Sequence, residues 1–86
     1  KAGLLALTKA LAKELAPTIQ TIAIAPGPIL PPPNMTPAVR RRAVQRLPLK
    51  RWGSPKDIAN AVVFALEATD FITGTAIYVD GGRLIA

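Results

Sequence analysis

The 86-residue chain contains no cysteine and no histidine. Without thiols there is no disulfide framework and no thiol nucleophile. Without imidazole there is no histidine general base, and the ordinary zinc sites, which draw on both residue types, are excluded. No metal site is expected. The missing cysteine fits a reducing compartment, and a cytoplasmic location is the expectation. Long apolar runs are lacking as well: no stretch approaches the about 20 residues a membrane helix needs, so no membrane partner is expected. Nor does a charged-then-apolar leader open the sequence, because Lys1 runs directly into an amphipathic pattern. Half of the residues are hydrophobic, which argues for a folded chain over a disordered one. A single core of this length has little stability to spare without staples, and here there are none.

Acidic residues are scarce: five against eleven lysines and arginines, for a formal net charge of +6. That balance raises the possibility of a small basic binding module. The positive charge is concentrated in "RRRAVQR" (Arg40–Arg46) and "KRW" (Lys50–Trp52), with no aromatics interleaved for base stacking. A solvated or anion-facing surface is the simpler reading, and no specific nucleic-acid partner is expected.

Leu4, Leu7, Leu11 and Leu15 recur at helical spacing while Lys9, Lys13 and Glu14 fall outside the stripe, which predicts a helix over 1–16 stopped by Pro17. Branched residues then predict a strand over 19–25. It ends in "PGPILPPP" (Pro26–Pro33), where each proline fixes φ and removes a donor, so the ladder is expected not to continue past Pro26. Gly27 lets backbone come close to something, and the stiff segment reads as a wall at a strand's end. Thr36 as N-cap and Pro37 at the first helical position open a short helix to about Leu47. Ser54, Pro55 and Asp57 repeat that start signal for a helix over 55–68, striped by Ile58, Ala61, Val62, Ala65 and Leu66. A buried strand over 76–79 follows, closed by the turn Asp80–Gly82. Strand, helix, strand with nearly continuous apolar strands is the pattern of a parallel sheet covered by helices, and two strands are too few for a whole sheet.

In order and spacing, "KAGLLALTKALAKELAP", "IAIAPGPI", "GSPKDIA" and "ITGTAIYVDGG" resemble the C-terminal portion of the short-chain dehydrogenase/reductases. The resemblance covers essentially the whole chain, and four separate blocks carry it. It implies an α/β fold in which residues 1–86 are the C-terminal part of one doubly wound, Rossmann-type dinucleotide-binding domain, with a substrate loop over 26–53. It further implies an NAD(P)H-dependent oxidoreductase whose Gly-rich turn and catalytic serine and tyrosine would precede Lys1. Lys1 matches the family's lysine four residues after that tyrosine, one helical turn away on the same face. Its ammonium would lower the tyrosine's pKa and hydrogen-bond the nicotinamide ribose. Pro26, Gly27, Pro28 and Ile29 match the cofactor-binding segment, with the backbone of Ile29 holding the carboxamide of NADP(H) or NAD(H). The expected partners are a small-molecule substrate and three further copies in a homotetramer, with Asp80 and its glycines turning the chain at an interface.

Three positions depart from the family pattern. Ile22 replaces a common asparagine, the turn at Pro17 and Thr18 is a residue short, and Pro31 stands where a pyrophosphate-binding threonine is frequent; a proline cannot donate there. "PILPPP" and "VDGGRLIA" are similar to bacterial pteridine reductases within the family. The alternative is a 3-oxoacyl-carrier-protein-reductase-like member, in which Arg40, Arg41, Arg42 and Arg46 would face an acidic carrier protein. A catalytically inert scaffold is a third reading, motivated by Ile22 and Pro31. Trp52 reads as the anchor of the Gly53 turn or, less simply, as a lid residue.

Overall fold

The computed structural model of the protein describes residues 2–86. Helix α1 spans Ala2–Leu15, strand β1 Ile22–Pro26, helix α2 Pro37–Gln45, helix α3 Pro55–Glu67 and strand β2 Thr75–Val79, and a single 3₁₀ turn covers Arg83–Ile85. β1 and β2 pair in parallel with Ile22 opposite Thr75 and Pro26 opposite Val79. α3 lies in the crossover between them, as a parallel pair requires, and both α1 and α3 contact both strands.

The strand predicted to begin at residue 19 starts at Ile22 instead, and the hydrogen bonds explain why. The Ile19 N–H returns to the Leu15 carbonyl at 2.9 Å, extending the exit turn of α1. Gln20 donates its side-chain amide to Ile72 O at 2.8 Å, and the Thr21 N–H goes to Thr73 Oγ1 at 3.0 Å. These residues tie down the approach to β2 before any ladder forms. The other end differs too. Pro26 keeps its place in the register, and the ladder runs one bond further through Gly27 N–H to Val79 O at 3.0 Å.

Thr36 caps α2 as its sequence position predicts, accepting the Val39 N–H at 3.3 Å. That helix stops at Gln45, short of Leu47, because the Arg46 and Leu47 N–H groups turn back to the carbonyls of Ala43 and Val44. At α3 Ser54 is the N-cap its sequence position predicts, in a capping box with Asp57, whose carboxylate accepts both the Ser54 N–H and the Ser54 hydroxyl.

Little of the chain is enclosed. Ala12 and Leu47 are the buried apolar residues among those described, while Leu66 is 78% and Phe71 93% exposed. The radius of gyration, 15.4 Å, exceeds the about 12 Å expected of a compact chain of this length. Apolar side chains on α1, α3 and the segment before β2 therefore stand open where further layers of an α/β domain would pack. No helix among the described residues is long and apolar enough to cross a membrane.

Candidate functional site

Because β1 and β2 run parallel and end in register, the segments Gly27–Ile29 and Asp80–Gly82 leave the sheet side by side at its carboxyl edge. In open α/β sheets that edge borders the ligand crevice. The glycine expected to admit a close neighbour at residue 27 does so, and the neighbour is protein: a Cβ there would lie 2.5 Å from Asp80 Cβ and 2.6 Å from Asp80 Cα. Asp80 in turn is committed to its own turn. Its Oδ1 accepts the Gly82 N–H at 2.9 Å and its Oδ2 the Leu84 N–H at 3.3 Å, which starts the 3₁₀ turn after two glycines with φ of 63° and 92°.

Beyond Gly27 the wall is pinned from the side. Gly53 N–H donates to Pro28 O at 2.9 Å and Leu30 N–H to Gly53 O at 3.1 Å, an isolated parallel bridge centred on Ile29. The bridge uses the groups flanking Ile29, so that residue's own N–H and C=O face the other way, and neither has a protein partner among the described residues. Leu30 completes the fixture in the left-handed region at φ 60°, a conformation that costs about 1–2 kcal/mol for a residue with a side chain. Gly53 lets Ile29 pack against it: a Cβ there would displace the end of the Ile29 side chain and lie 3.3 Å from Pro28 O.

Gly53 is itself held by the start of α3. Asp57 Oδ2 accepts the Ser54 N–H at 2.8 Å and the Ser54 hydroxyl at 3.2 Å, and the Arg51 guanidinium grips the same carboxylate with two bonds of 2.9 and 3.0 Å. The Arg51 hydrogen bonds, followed by the Ser54 N–H, hold the Asp57 carboxyl well below the usual carboxylate range. Such bidentate pairs fix geometry as well as charge. Sequence reading placed Asp57 at the helix start and missed Arg51; the signal was an arginine three residues before a Ser-Pro helix start with aspartate at the third helical position.

Two cavities share Pro28. One, of about 220 Å³, is lined by Ile29, Gly53, Tyr78 and Asp80 among others. The second, of about 670 Å³, lies between the 26–53 segment and the chain's last residues, with Met35, Arg46, Trp52 and Arg83 on its walls. Trp52 is half-buried there, and Pro31, just beyond Leu30, is half-buried too. Arg40, Arg41 and Arg42 line neither cavity. Of the residues assigned to the cofactor by resemblance, Gly27, Pro28 and Ile29 stand together at the carboxyl edge beside an exposed Pro26; Lys1 lies outside the described residues. No cluster of three metal-ligating side chains occurs among the described residues.

The family model described as enoyl-(acyl carrier protein) reductase matches residues 1–83. The chain belongs to the short-chain dehydrogenase/reductases. Among this family's members, the 3-oxoacyl-[acyl-carrier-protein] reductase FabG of Aquifex aeolicus is 43% identical over 95% of the chain, and that of Thermotoga maritima 39% over 99%. The chain spans about a third of the length of these relatives, 35% and 36%. Among solved short-chain dehydrogenase/reductases, an apo SCOR enzyme from Clostridium thermocellum matches all of the chain and 33% of its own with a TM-score of 0.83 at 41% identity. FolM alternative dihydrofolate reductase 1 from Brucella canis, complexed with NADP, matches all of the chain and 34% of its own with a TM-score of 0.85 at 40% identity. The fold is thus that of these α/β, Rossmann-type enzymes.

Proposed function

We propose that the chain forms the substrate-side part of an NAD(P)H-dependent oxidoreductase that transfers hydride between nicotinamide and a carbonyl or imine. One observation carries the reading most: at the carboxyl edge of the sheet, the backbone amide edge of Ile29 is held rigid and lacks a protein partner among the described residues. A carboxamide carries one acceptor and one donor pair, the complement of a backbone C=O and N–H. The residues present therefore fit a nicotinamide. When bound, that cofactor supplies or accepts the hydride.

The chain's own residues supply position and one charge. Pro26 and Pro28 fix φ on both sides of Gly27, Gly53 and Leu30 fix Ile29, and the Arg51–Asp57 pair holds Gly53 in turn. Lys1 is proposed as the catalytic lysine: its ammonium favours the phenolate of the tyrosine that family resemblance puts four residues earlier, and it hydrogen-bonds the nicotinamide ribose. For substrate, a 3-oxoacyl thioester is the reading supported by the relatives named FabG. A pterin imine is the second reading, supported by the likeness to FolM and by the "PILPPP" segment. A cytoplasmic homotetramer is the proposed assembly, on the family resemblance.

The test is NAD(P)H oxidation by the full-length protein with a 3-oxoacyl thioester or a dihydropterin. Lys1→Ala is expected to remove most of the turnover and to raise the kinetic pKa of the general acid, while Lys9→Ala leaves both in place. Near wild-type turnover with an unmoved pH profile in Lys1→Ala would refute the assignment.

A further inference from the structure

The basic residues of the chain fall into two groups that the sequence does not separate. Arg40, Arg41 and Arg42 form the outer surface of α2 and line none of the cavities at the sheet edge. Arg46, one turn past Arg42 at the end of that helix, and Arg83, from the far end of the chain, reach the same groove of about 670 Å³. Its walls are otherwise apolar: Pro28, Pro32, Met35, Ala43, Leu47 and Trp52, with Ala86 at the rim. No aspartate or glutamate lines it, and neither arginine has an acidic partner among the described residues. The Trp52 indole N–H is enclosed and likewise has no protein acceptor there. Two arginines 37 residues apart in sequence, lining one groove whose other side chains are apolar and include no aspartate or glutamate, are complementary to an amphipathic molecule with an anionic oxygen group.

We propose that this groove receives the anionic tail of the substrate, a carboxylate or phosphate, with Arg46 and Arg83 as the residues that select it. The proposal deepens the oxidoreductase reading and rests on it, because Pro28 is shared between the groove and the segment ending at Ile29. A substrate in this position has its reactive carbonyl or imine toward Pro28, its apolar body over Met35 and Trp52, and its charge between the two arginines. Both guanidinium groups are exposed at the rim, so their contribution is selectivity of modest size. Exposed pairs of this kind give roughly a three- to tenfold preference for the anion when two act together.

The full-length protein is titrated by calorimetry with three probes: γ-benzoylbutyrate, its methyl ester, and benzoylpropyl phosphate. Each is run with and without NADPH. The anions are expected to bind roughly three- to tenfold more tightly than the ester. The double variant Arg46→Gln, Arg83→Gln is expected to abolish that preference while leaving affinity for the ester unchanged. Arg41→Gln, Arg42→Gln, which removes the same formal charge from outside the groove, is expected to retain it. Tighter binding of the phosphate than of the carboxylate assigns a phosphate tail, and the reverse order a carboxylate. Equal affinity for anions and ester, no measurable binding of either anion, or an equal loss in both double variants would overturn the proposal. Absence of NADPH binding would overturn the oxidoreductase reading separately, since the comparison of anion with ester is made without cofactor as well.

Discussion

Substituting Gly27 tests whether the two strand ends are joined as tightly as the geometry requires. Its φ is not positive, so alanine meets no backbone penalty, and the whole effect comes from the added methyl group. That carbon would sit 2.5 Å from Asp80 Cβ and 2.6 Å from Asp80 Cα, whereas carbon atoms rest at about 3.5–4.0 Å. The neighbour is main chain and the root of a side chain fixed by two hydrogen bonds, so no rotamer change relieves the clash. Separation by about 1 Å stretches the Gly27 N–H to Val79 O bond beyond useful length. Overpacking costs about 1–3 kcal/mol and the lost hydrogen bond about 0.5–1.5 kcal/mol. The stiffer unfolded chain returns about 0.4–1 kcal/mol. Gly27→Ala is therefore expected to destabilise the full-length protein by about 1–3 kcal/mol, read from the urea midpoint at unchanged m-value. It should also weaken NADPH binding, because Pro28 and Ile29 follow directly. A midpoint within about 0.5 kcal/mol of wild type, with cofactor affinity unchanged, would show that the strand ends are not in contact.

Two further outcomes follow from the packing and the charges. The Asp57 carboxyl titrates lower in the folded protein than the about 3.9 of an unfolded aspartate, held down by Arg51 and then the Ser54 N–H. Its contribution is accordingly complete above that value and is lost as pH falls through the folded one. Asp57→Asn should lie below wild type by a constant margin in denaturation at neutral pH, with the margin closing below about pH 4; a margin that widened in acid would reverse the assignment. The 86-residue chain expressed by itself should show no cooperative thermal transition, because Phe71, Leu66 and their neighbours have nothing to pack against. A sharp transition in the monomeric chain would contradict this.

Helices were the most legible part of the sequence, because proline and a polar cap mark where α2 and α3 start and apolar spacing marks their extent, although Leu4, Leu7 and Leu11 of the α1 stripe and Leu66 of the α3 stripe stand exposed. The start of β1 was not, since Ile19 and Thr21 carry strand propensity yet spend their N–H groups on Leu15 and Thr73. The bond from Ile19 is local, but the partner of Thr21 lies 52 residues away in sequence, which no local pattern records. At the site, the Pro-Gly segment announced a wall, and Gly27 announced a close approach without saying to what. The partners that make the wall rigid, Asp80 and Gly53, come from the turn after β2 and the start of α3. Arg46 and Arg83 show the same limit: they line one groove only once the chain's last turn folds back beside the 26–53 segment.

The bridge between Ile29 and Gly53 has a consequence for how such an enzyme can change. It ties the neck of residues 30–52, so the lobe above it is closed at its base, with Arg51 at the foot of the lobe bracing the bridge through Asp57. Closing a longer lobe costs only about 0.6 kcal/mol per doubling of length. The prolines, α2 and the arginines it carries can thus be exchanged, lengthened or shortened while Arg51 and the segment below keep their register. A lobe grafted from one relative to another at this neck should carry its substrate preference with it and leave the hydride chemistry beneath it intact.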